Sequence, residues 1–312
     1  MIFREQVIAK DLMPPMCHSA TIEELEEGEL YAVWYAGSFE GAPDTILMGS
    51  RRGADGAWSQ PKVVQSLPGL PLGNPVLDKD GHDLILYFVV LYGDWWTDSK
   101  IVRSLSKDGG QTWSQFEFVS LEKGLMLRTK PLRLPTGTLL LPIYDEINWA
   151  PLVLRSTDSG KSWARYGDTT SRGKAIQPAL CQLHDGSVLM LMRTNQGQIY
   201  YSRSFNDGLS WIAAQPMNLL NPNSGIDLIN AGPGQLVLVH NPLKQGRTEL
   251  AVSLSTEEGD VWGSTRTLVG GSGEYSYPTV IQNSNGLIQL VYTKNREAII
   301  FCEFDLEWAA AR

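Results

Sequence analysis

Polar residues that could bind or activate a ligand stand at the starts of strands that are otherwise apolar. Their side chains are an imidazole, two amides, an ammonium group, a carboxylate and a phenol, which can bind a polar ligand and transfer protons. One such strand start is commonly just a solvated end, whereas six that point towards a common axis favour a polar pocket. The six residues are His18, Asn74, Lys130, Gln177, Asp227 and Tyr277.

Arginine and lysine residues add positive charge to this predicted pocket. Arg193 ends the second strand of its unit, Arg247 precedes a third strand, and Lys130 follows Arg128 closely. An arginine fork binds a carboxylate or a sulfate through paired hydrogen bonds, so these cations predict an acidic ligand. The alternative is that each cation pairs with a neighbouring Asp or Glu.

A recurring turn motif identifies the elements that position these residues. The pattern S-x-D-x-G-x-x-W returns about every 50 residues, which is typical of a propeller or a solenoid. The Asp accepts backbone hydrogen bonds, the Gly supplies a positive φ and the Trp is expected to pack against the next unit, so we interpret the motif as structural rather than catalytic. Full copies occupy 106–113 and 156–163, variant copies occupy 204–211 and 255–262, and a reduced copy ends at Trp58.

Six turn glycines, each beside apolar runs, give the number of units. The N-terminal segment, residues 2–8, has no unit of its own and is expected to pair with the last unit, which would hide the sheet edges. The sequence therefore predicts an all-β, six-bladed β-propeller with four-stranded antiparallel blades, a ring closed by the N-terminal strand, very little helix and one domain over residues 1–312. The glycines are Gly28, Gly81, Gly137, Gly186, Gly234 and Gly286.

The composition and net charge of the chain indicate which classes of binding partner to expect. The net charge of −8 and the pI of about 5.1 argue against nucleic acid or an anionic membrane as the main partner. No secretory signal or membrane-spanning run is visible, so we expect a cytoplasmic protein.

Cys17, Cys181 and Cys302 are far apart and have no zinc spacing, so we expect buried free thiols, no metal and no cofactor. The oligomeric state is not predicted.

With its turn motifs and strand starts together, the chain resembles the sialidase superfamily of Asp-box (BNR) propellers over nearly its whole length, and its sialidase-like branch in particular. The resemblance implies that Arg193 and Arg247 match two of three arginines that bind a substrate carboxylate. Tyr275, in the segment Tyr275-Ser276, matches the nucleophilic tyrosine. The loop aspartate that acts as acid and base is matched most nearly by Asp44.

Three positions depart from the pattern that the resemblance implies. His18 stands where the first arginine is expected, Thr293 where a glutamate steadies that arginine, and Gln177 where a glutamate activates the tyrosine. An amide cannot accept a proton as a carboxylate does, and a histidine is a weaker cation near neutral pH. These changes predict an activity other than ordinary sialic acid hydrolysis.

Three functions remain open from the sequence. The leading hypothesis is an exo-acting glycoside hydrolase for an acidic sugar, with Asp44 or Glu40 as the acid and Asp227 or Asp145 activating water. In this reading Asp44 could equally be a solvated loop acid, and Asp227 a capped strand residue.

The second hypothesis is a polysaccharide lyase for uronic-acid glycans. His18 with Tyr275 or Tyr277 would remove and return protons, and Arg193 would neutralise the carboxylate. The third hypothesis is a sugar-binding propeller without turnover, in which the two tyrosines simply wall the pocket and His18 is a hydrogen-bonded histidine without chemistry.

Overall fold

Alternating and wholly apolar segments between turn glycines form antiparallel strands, as expected for runs rich in β-branched and aromatic residues. In the computed structural model, which describes residues 1–26, 28–167 and 174–311, these strands make six antiparallel blades. The predicted all-β, six-bladed propeller with four-stranded blades is confirmed. Helix in the described residues consists of a 3₁₀ turn at Trp96–Asp98 and α1 at Leu306–Ala310.

The strands follow one another in chain order, four to a blade with one exception. The first strands are β1 Phe3–Lys10, β2 Met16–Glu24, β3 Leu30–Gly37, β4 Ile46–Arg52, β5 Lys62–Gln65, β6 Leu72–Asp80, β7 Asp83–Leu91, β8 Ser99–Ser106 and β9 Glu117–Ser120. The next are β10 Leu125–Leu127, β11 Leu132–Arg133, β12 Leu139–Asp145, β13 Ala150–Ser156, β14 Ala164–Tyr166, β15 Ala175–Gln182, β16 Val188–Thr194, β17 Gln198–Ser204 and β18 Gln215–Leu220. The last are β19 Asp227–Gly232, β20 Gln235–His240, β21 Glu249–Ser255, β22 Trp262–Gly270, β23 Tyr275–Gln282, β24 Ile288–Lys294 and β25 Ala298–Phe304.

Blade three departs from the simple four-strand pattern. Its first strand is divided into β10 and β11, and both pieces neighbour β12 in the sheet. The interruption contains Lys130 and Pro131. Because proline has no N–H to donate, it cannot supply the ladder hydrogen bond that a continuous strand would need.

The N-terminal strand completes the last blade, as the sequence predicts. β1 pairs antiparallel with β25 from Phe3 opposite Phe304 to Lys10 opposite Ala298. The sheet order of this blade is therefore β1-β25-β24-β23. β1 thus forms the outer edge of the last blade, although its residues lie about 300 positions before those of β25 in sequence.

The chain divides into two compact units. We call residues 2–126 with 277–304 the N-terminal unit, and residues 127–276 with Met1 and 305–312 the central unit. In the N-terminal unit, one apolar core contains Trp34 and Phe301, and another contains Phe88. In the central unit, Leu140 and neighbours form one core, and a second core surrounds Leu238. That residues 1–312 form a single domain stays a prediction.

The S-x-D-x-G-x-x-W turns satisfy their own polar groups. Asp108 Oδ1 accepts hydrogen bonds from the backbone N–H groups of Gln111 at 3.0 Å and Thr112 at 2.9 Å. The Gly110 N–H donates to Ser106 Oγ at 2.6 Å. These bonds to the charged form lower the pKa of Asp108, first through the Thr112 hydroxyl. The carboxylate is thus used in holding the turn.

The turn of blade four packs against blade three, which precedes it, and not against the next unit as expected from the sequence. Trp211 of blade four packs against the core that contains Leu140 of blade three. The guanidinium of Arg155 in β13 donates from Nε to the Asp207 carbonyl in the turn of blade four at 2.9 Å.

The three cysteines are buried and free, as predicted. Burial in apolar surroundings raises the pKa of Cys17 and Cys181 to about 12. Both therefore remain thiols at neutral pH and lack the thiolate that nucleophilic chemistry needs. Among the residues that the structure describes, no helix is long and apolar enough to cross a membrane.

His240, at the end of β20, is a buried titratable group outside any turn motif. Its Nδ1 lies 3.2 Å from the Leu220 carbonyl, so the proton is on Nδ1, and Nε2 lies 2.9 Å from the Ser253 hydroxyl. The Ser253 hydroxyl is also 2.7 Å from that of Thr265. Burial lowers the pKa of His240 to about 4, because the imidazolium would lose its hydration.

The close approach of Gly208 to Leu140 predicts a stability difference between two glycines of blade four. Gly208 has a φ of 79°, and an added Cβ would lie 2.8 Å from Leu140 Cδ2, whereas Gly186, with a φ of 85°, has open space. We expect Gly186→Ala to cost about 1–2 kcal/mol from backbone strain. Gly208→Ala should cost about 1–3 kcal/mol more from overpacking. Urea unfolding measures both, and equal losses would contradict the packing argument.

The buried imidazole predicts a loss of stability in acid. Between the unfolded pKa of about 6.5 and the folded value of about 4, the unfolded chain binds a proton that the folded protein does not, so stability falls as pH falls through this range. The contribution of His240 is on the order of 3 kcal/mol. Urea unfolding at pH 7 and pH 4 should show a smaller acid loss for His240→Gln than for the wild type. Identical losses would place the acid sensitivity elsewhere.

Candidate functional site

A backbone irregularity recurs in the first strands of several blades. Ser19, Asn74, Gln177 and Tyr277 all have left-handed backbone, with φ between 41° and 56°. In β2, β6 and β15 the pairing register shifts at this point, as in a β-bulge. A bulge re-aims side chains, and non-glycine residues in this conformation cluster at functional sites. Three of the four left-handed residues are predicted ligand-binding residues.

In the N-terminal unit, His18 lies in a buried aromatic cluster. The His18 ring centre is 4.3 Å from that of Tyr277 and 5.6 Å from that of Tyr35. Tyr35 in turn lies 6.3 Å from Trp96, ring centre to ring centre. The structure therefore brings together the predicted residues His18 and Tyr277, and adds two aromatic residues that the sequence analysis did not single out.

Asn74, another predicted ligand-binding residue, is buried at the bulge of β6. The residue before it, Gly73, packs so closely on Trp96 that an added Cβ would lie 2.7 Å from the indole ring. Asn74 therefore directly follows a residue that packs on Trp96 of this aromatic cluster.

Glu40 joins this cluster through two contacts. It accepts a hydrogen bond from the Tyr35 hydroxyl at 3.2 Å and forms an ion pair with Arg296. Burial, followed by the Glu40 charge, raises the pKa of Tyr35 well above its usual value, so its proton remains available for donation. Arg296 comes from the turn between β24 and β25, and sequence reasoning missed it.

Asp44 occupies a different environment from Glu40. Its carboxylate accepts hydrogen bonds from the Ser38 hydroxyl at 2.5 Å and the Ser38 N–H at 3.0 Å. These bonds lower the pKa of Asp44, the hydroxyl first, and favour the carboxylate at neutral pH. Asp44 is solvent-exposed, and these contacts close its own loop.

Thr293, in β24, occupies the position where the resemblance implies a glutamate. Its hydroxyl accepts a hydrogen bond from the Ser19 backbone N–H at 3.1 Å. It therefore supports the bulge beside His18 through a neutral contact, and contributes no charge there.

In the central unit, Arg193 is held by amide groups. Its Nη1 donates to Gln177 Oε1 at 3.1 Å and its Nε donates to Asn223 Oδ1 at 2.9 Å. Gln177 Nε2 in turn donates to the Tyr144 hydroxyl at 3.3 Å. Arg193 and Gln177 are both almost fully buried. A neutral amide thus occupies the position beside Arg193 where the resemblance implies a carboxylate.

Arg247 reaches the same asparagine. Its Nη2 donates to the Asn223 backbone carbonyl at 3.2 Å, and its Nη1 forms an ion pair with Glu274 at 3.2 Å. Glu274 also accepts a hydrogen bond from the Ser276 hydroxyl at 2.9 Å. Asn223 therefore bridges the two predicted arginines, and we call these residues with Gln177 and Glu274 the arginine cluster.

Tyr275 lies beside the arginine cluster. Its backbone N–H donates to the Arg247 carbonyl at 2.8 Å, and its own carbonyl accepts from Asn241 Nδ2 at 2.7 Å. The side chain is buried. Arg193, Gln177, Arg247 and Tyr275 are therefore linked within one unit. That His18 shares a centre with them stays a prediction.

Two other predicted carboxylates, Asp227 and Asp145, accept hydrogen bonds from backbone groups close to them in sequence. Asp227 Oδ1 accepts from the next N–H, that of Leu228, at 3.0 Å, and Asp145 Oδ1 accepts from the N–H groups of Ile147 and Asn148. Both thus take part in local backbone hydrogen bonds. Lys130 is half-buried between the two pieces of the first strand of blade three.

Besides Tyr35 and Trp96, three polar residues of these clusters escaped the sequence analysis. Glu274 directly precedes Tyr275, Asn223 has a φ of 60°, and Arg296 has a φ of 59° in the three-residue turn 295–297. The sequence did offer a signal for each of them. Glu274 and Asn223 come shortly before the start of a first strand, and Arg296 lies in the turn after a second strand. Within the described part of the chain, no group of three His, Cys, Asp or Glu residues could hold a metal ion.

Comparison with known proteins gives a family and a fold. Residues 28–290 match the family described as BNR repeat-like domain. No curated protein matches.

Three solved structures illustrate the fold. The Hadza microbial sialidase Hz136 superposes with a TM-score of 0.80 at 17% identity, over 94% of this chain and 66% of its own. The NanB sialidase of Streptococcus pneumoniae gives 0.81 at 14%, over 97% and 70%. The intramolecular trans-sialidase of Ruminococcus gnavus, solved with oseltamivir carboxylate, gives 0.77 at 15%, over 95% and 96%.

These identities show a shared fold and no more, and this chain spans just under two thirds of the first of the three proteins. The family match is broader evidence, since it covers well over half of the chain and includes the six turn glycines and the recurring turns. The protein is a member of the BNR repeat-like family, and its six antiparallel blades form a propeller.

Proposed function

We propose that this protein is an exo-acting glycoside hydrolase that binds a carboxylate-bearing sugar. The observation that carries the proposal is the arginine cluster, in which Arg193 and Arg247 are both bonded to Asn223. The names of the structural neighbours, two sialidases and an intramolecular trans-sialidase, support the same class of reaction.

The charges of the arginine cluster favour an anionic ligand. Within the five residues of the arginine cluster there are two guanidinium groups and one carboxylate, Glu274, which pairs with Arg247, while Gln177 contributes an uncharged amide beside Arg193. An arginine in a nearly buried, low-dielectric site attracts an anion more strongly than one in water. A sugar carboxylate provides two oxygens in the geometry that guanidinium groups bind in forked pairs.

Proton transfer has to differ from the pattern that the resemblance implies. Gln177 cannot accept a proton from Tyr275, the proposed nucleophile, and the neighbouring Glu274 is bonded to Arg247 and Ser276. In the N-terminal unit, Asp44 is favoured as a carboxylate, which suits a base that activates water better than an acid. Glu40, bonded to the Tyr35 hydroxyl, is the remaining candidate acid.

The lyase alternative has one observation in its favour. The His18 and Tyr277 rings are 4.3 Å apart in the N-terminal unit. A histidine and a tyrosine so placed could remove the proton beside a uronic acid carboxylate and protonate the departing oxygen. The breaking C–O bond would then leave a carbon–carbon double bond in the product instead of consuming water.

Removing one guanidinium should weaken the binding of an acidic sugar selectively. We expect Arg193→Ala and Arg247→Ala each to reduce affinity for glucuronate by about 10- to 100-fold, the equivalent of about 1.5–3 kcal/mol for a charged hydrogen bond. Affinity for glucose should change little. Isothermal titration calorimetry measures both, with Arg165→Ala in the outer strand β14 as the matched control. Equal losses for the two sugars would remove the carboxylate argument.

Tyrosine variants and product analysis separate the candidate functions. For the hydrolase we expect reducing sugar without near-ultraviolet absorbance, and a fall in kcat of about a hundredfold or more in Tyr275→Phe. An absorbing, unsaturated product whose formation stops in Tyr277→Phe would instead establish the lyase. Binding without either product would leave a sugar-binding module. Tyr166→Phe, in outer strand β14, controls for effects of losing a phenol elsewhere.

A further inference from the structure

The N-terminal unit has a groove on its outer strands, away from the aromatic cluster of His18. Strands β4 and β5 form one wall, and residues 110–113 of the next blade form the other. Its volume is about 620 Å³, within the range of small-molecule sites. We call it the blade-one groove. Tyr31, Arg51, Lys62, Gln65, Gln111 and Trp113 are among the residues that line it.

The central unit has an equivalent groove of about 510 Å³, the blade-four groove. It lies between β17 and β18 on one side and residues 259–263 on the other. Arg203 occupies the position that corresponds to Arg51, directly after a buried serine of the third strand. Its Nη2 donates to Asp260 Oδ1 at 2.5 Å and to the Glu258 carbonyl at 3.1 Å. The guanidinium of this groove is therefore neutralised from within the protein.

The blade-one groove lacks this neutralising carboxylate. Gln111 stands one residue after the turn glycine Gly110, where Asp260 follows Gly259. No described Asp or Glu lines the blade-one groove, and Lys62 adds a second positive charge. Asp108, the nearest acid in the turn, is bonded to its own Thr112 and Ser106.

The Arg51 guanidinium stacks on an aromatic ring of the groove. It lies over the Tyr31 ring, 4.9 Å from the ring centre. Its Nη2 is buried and meets no hydrogen-bond acceptor among the described residues. On its other side Arg51 borders a smaller cavity lined by three carboxylates, but it forms no ion pair with a described carboxylate. The three are Glu26, Glu29 and Asp108. A buried donor without an acceptor costs free energy that an incoming oxyanion would recover.

We propose that the blade-one groove is a second ligand site that binds the oxyanion of an acidic saccharide, a carboxylate or a sulfate ester, through Arg51 and Lys62. The hydroxyl and amide groups of the lining, with the Trp113 ring, suit the rest of a sugar of one or two rings. The site differs from the arginine cluster in unit, residues and position, so it does not depend on the proposed reaction.

The comparison of the two grooves supplies the test. In an Arg193→Ala background, which weakens the arginine cluster, glucuronate binding is titrated calorimetrically, with glucose as the neutral match and inorganic sulfate as the free anion. Gln111→Asp, which introduces the carboxylate that the blade-four groove has, should reduce glucuronate affinity about tenfold or more. Arg51→Ala should do the same. Asp260→Asn, in the other groove, should leave this binding unchanged.

Each outcome decides part of the proposal. Sulfate that competes with glucuronate, and glucuronate that binds more tightly than sulfate, would support an oxyanion site built for a saccharide. Glucuronate no tighter than sulfate would contradict the saccharide, and an absence of competition would contradict the shared oxyanion position. Unchanged affinity in both Gln111→Asp and Arg51→Ala, with folding confirmed by urea unfolding, would overturn the proposal whether or not the protein turns over any sugar.

Discussion

The burial of apolar side chains on both faces of each blade is the constraint on which the rest of this structure depends. A sheet that is apolar on both faces has to be covered on both, so each blade packs its inner strands against a neighbour. In the N-terminal unit this gives the cores around Trp34 and Phe88. Polar chemistry is then confined to strand ends and loops. The bulges at Ser19, Asn74 and Gln177 are where those ends are redirected.

Much of the fold could be read from local sequence, because its signals are local. A glycine with positive φ, an Asp that bonds two nearby N–H groups and an alternating strand each act within a few residues. The pairing of β1 with β25 followed from counting units, since one strand was left without a partner. The division of β10 from β11 has a local cause in Pro131, which the repeat pattern did not take into account. The packing of Trp211 on the preceding blade depended on a neighbour that the local pattern does not describe.

The candidate site was predictable in residue type more than in contacts. Gln177, Arg193 and Arg247 were found from their positions at the ends of strands and beside them, and Tyr275 from the resemblance. The structure links the four. Their connection through Asn223 required the conformation of a loop, which single-sequence patterns do not fix. The same holds for the pairing of Arg296 with Glu40, which joins residues 256 positions apart in sequence.

The arginines described above differ in the groups that pair with them. At Gln177, a small change in one side chain would decide whether the group beside Arg193 is neutral or charged. Glutamine and glutamate have nearly the same shape, so the left-handed backbone and packing at this position would accept either. Replacing the glutamine with glutamate exchanges an amide nitrogen for an oxygen. This would change the charge of the arginine cluster by one unit and leave the strands in place. A single codon change therefore separates two electrostatically distinct forms of one propeller, and selection could pass between them without first rebuilding the scaffold.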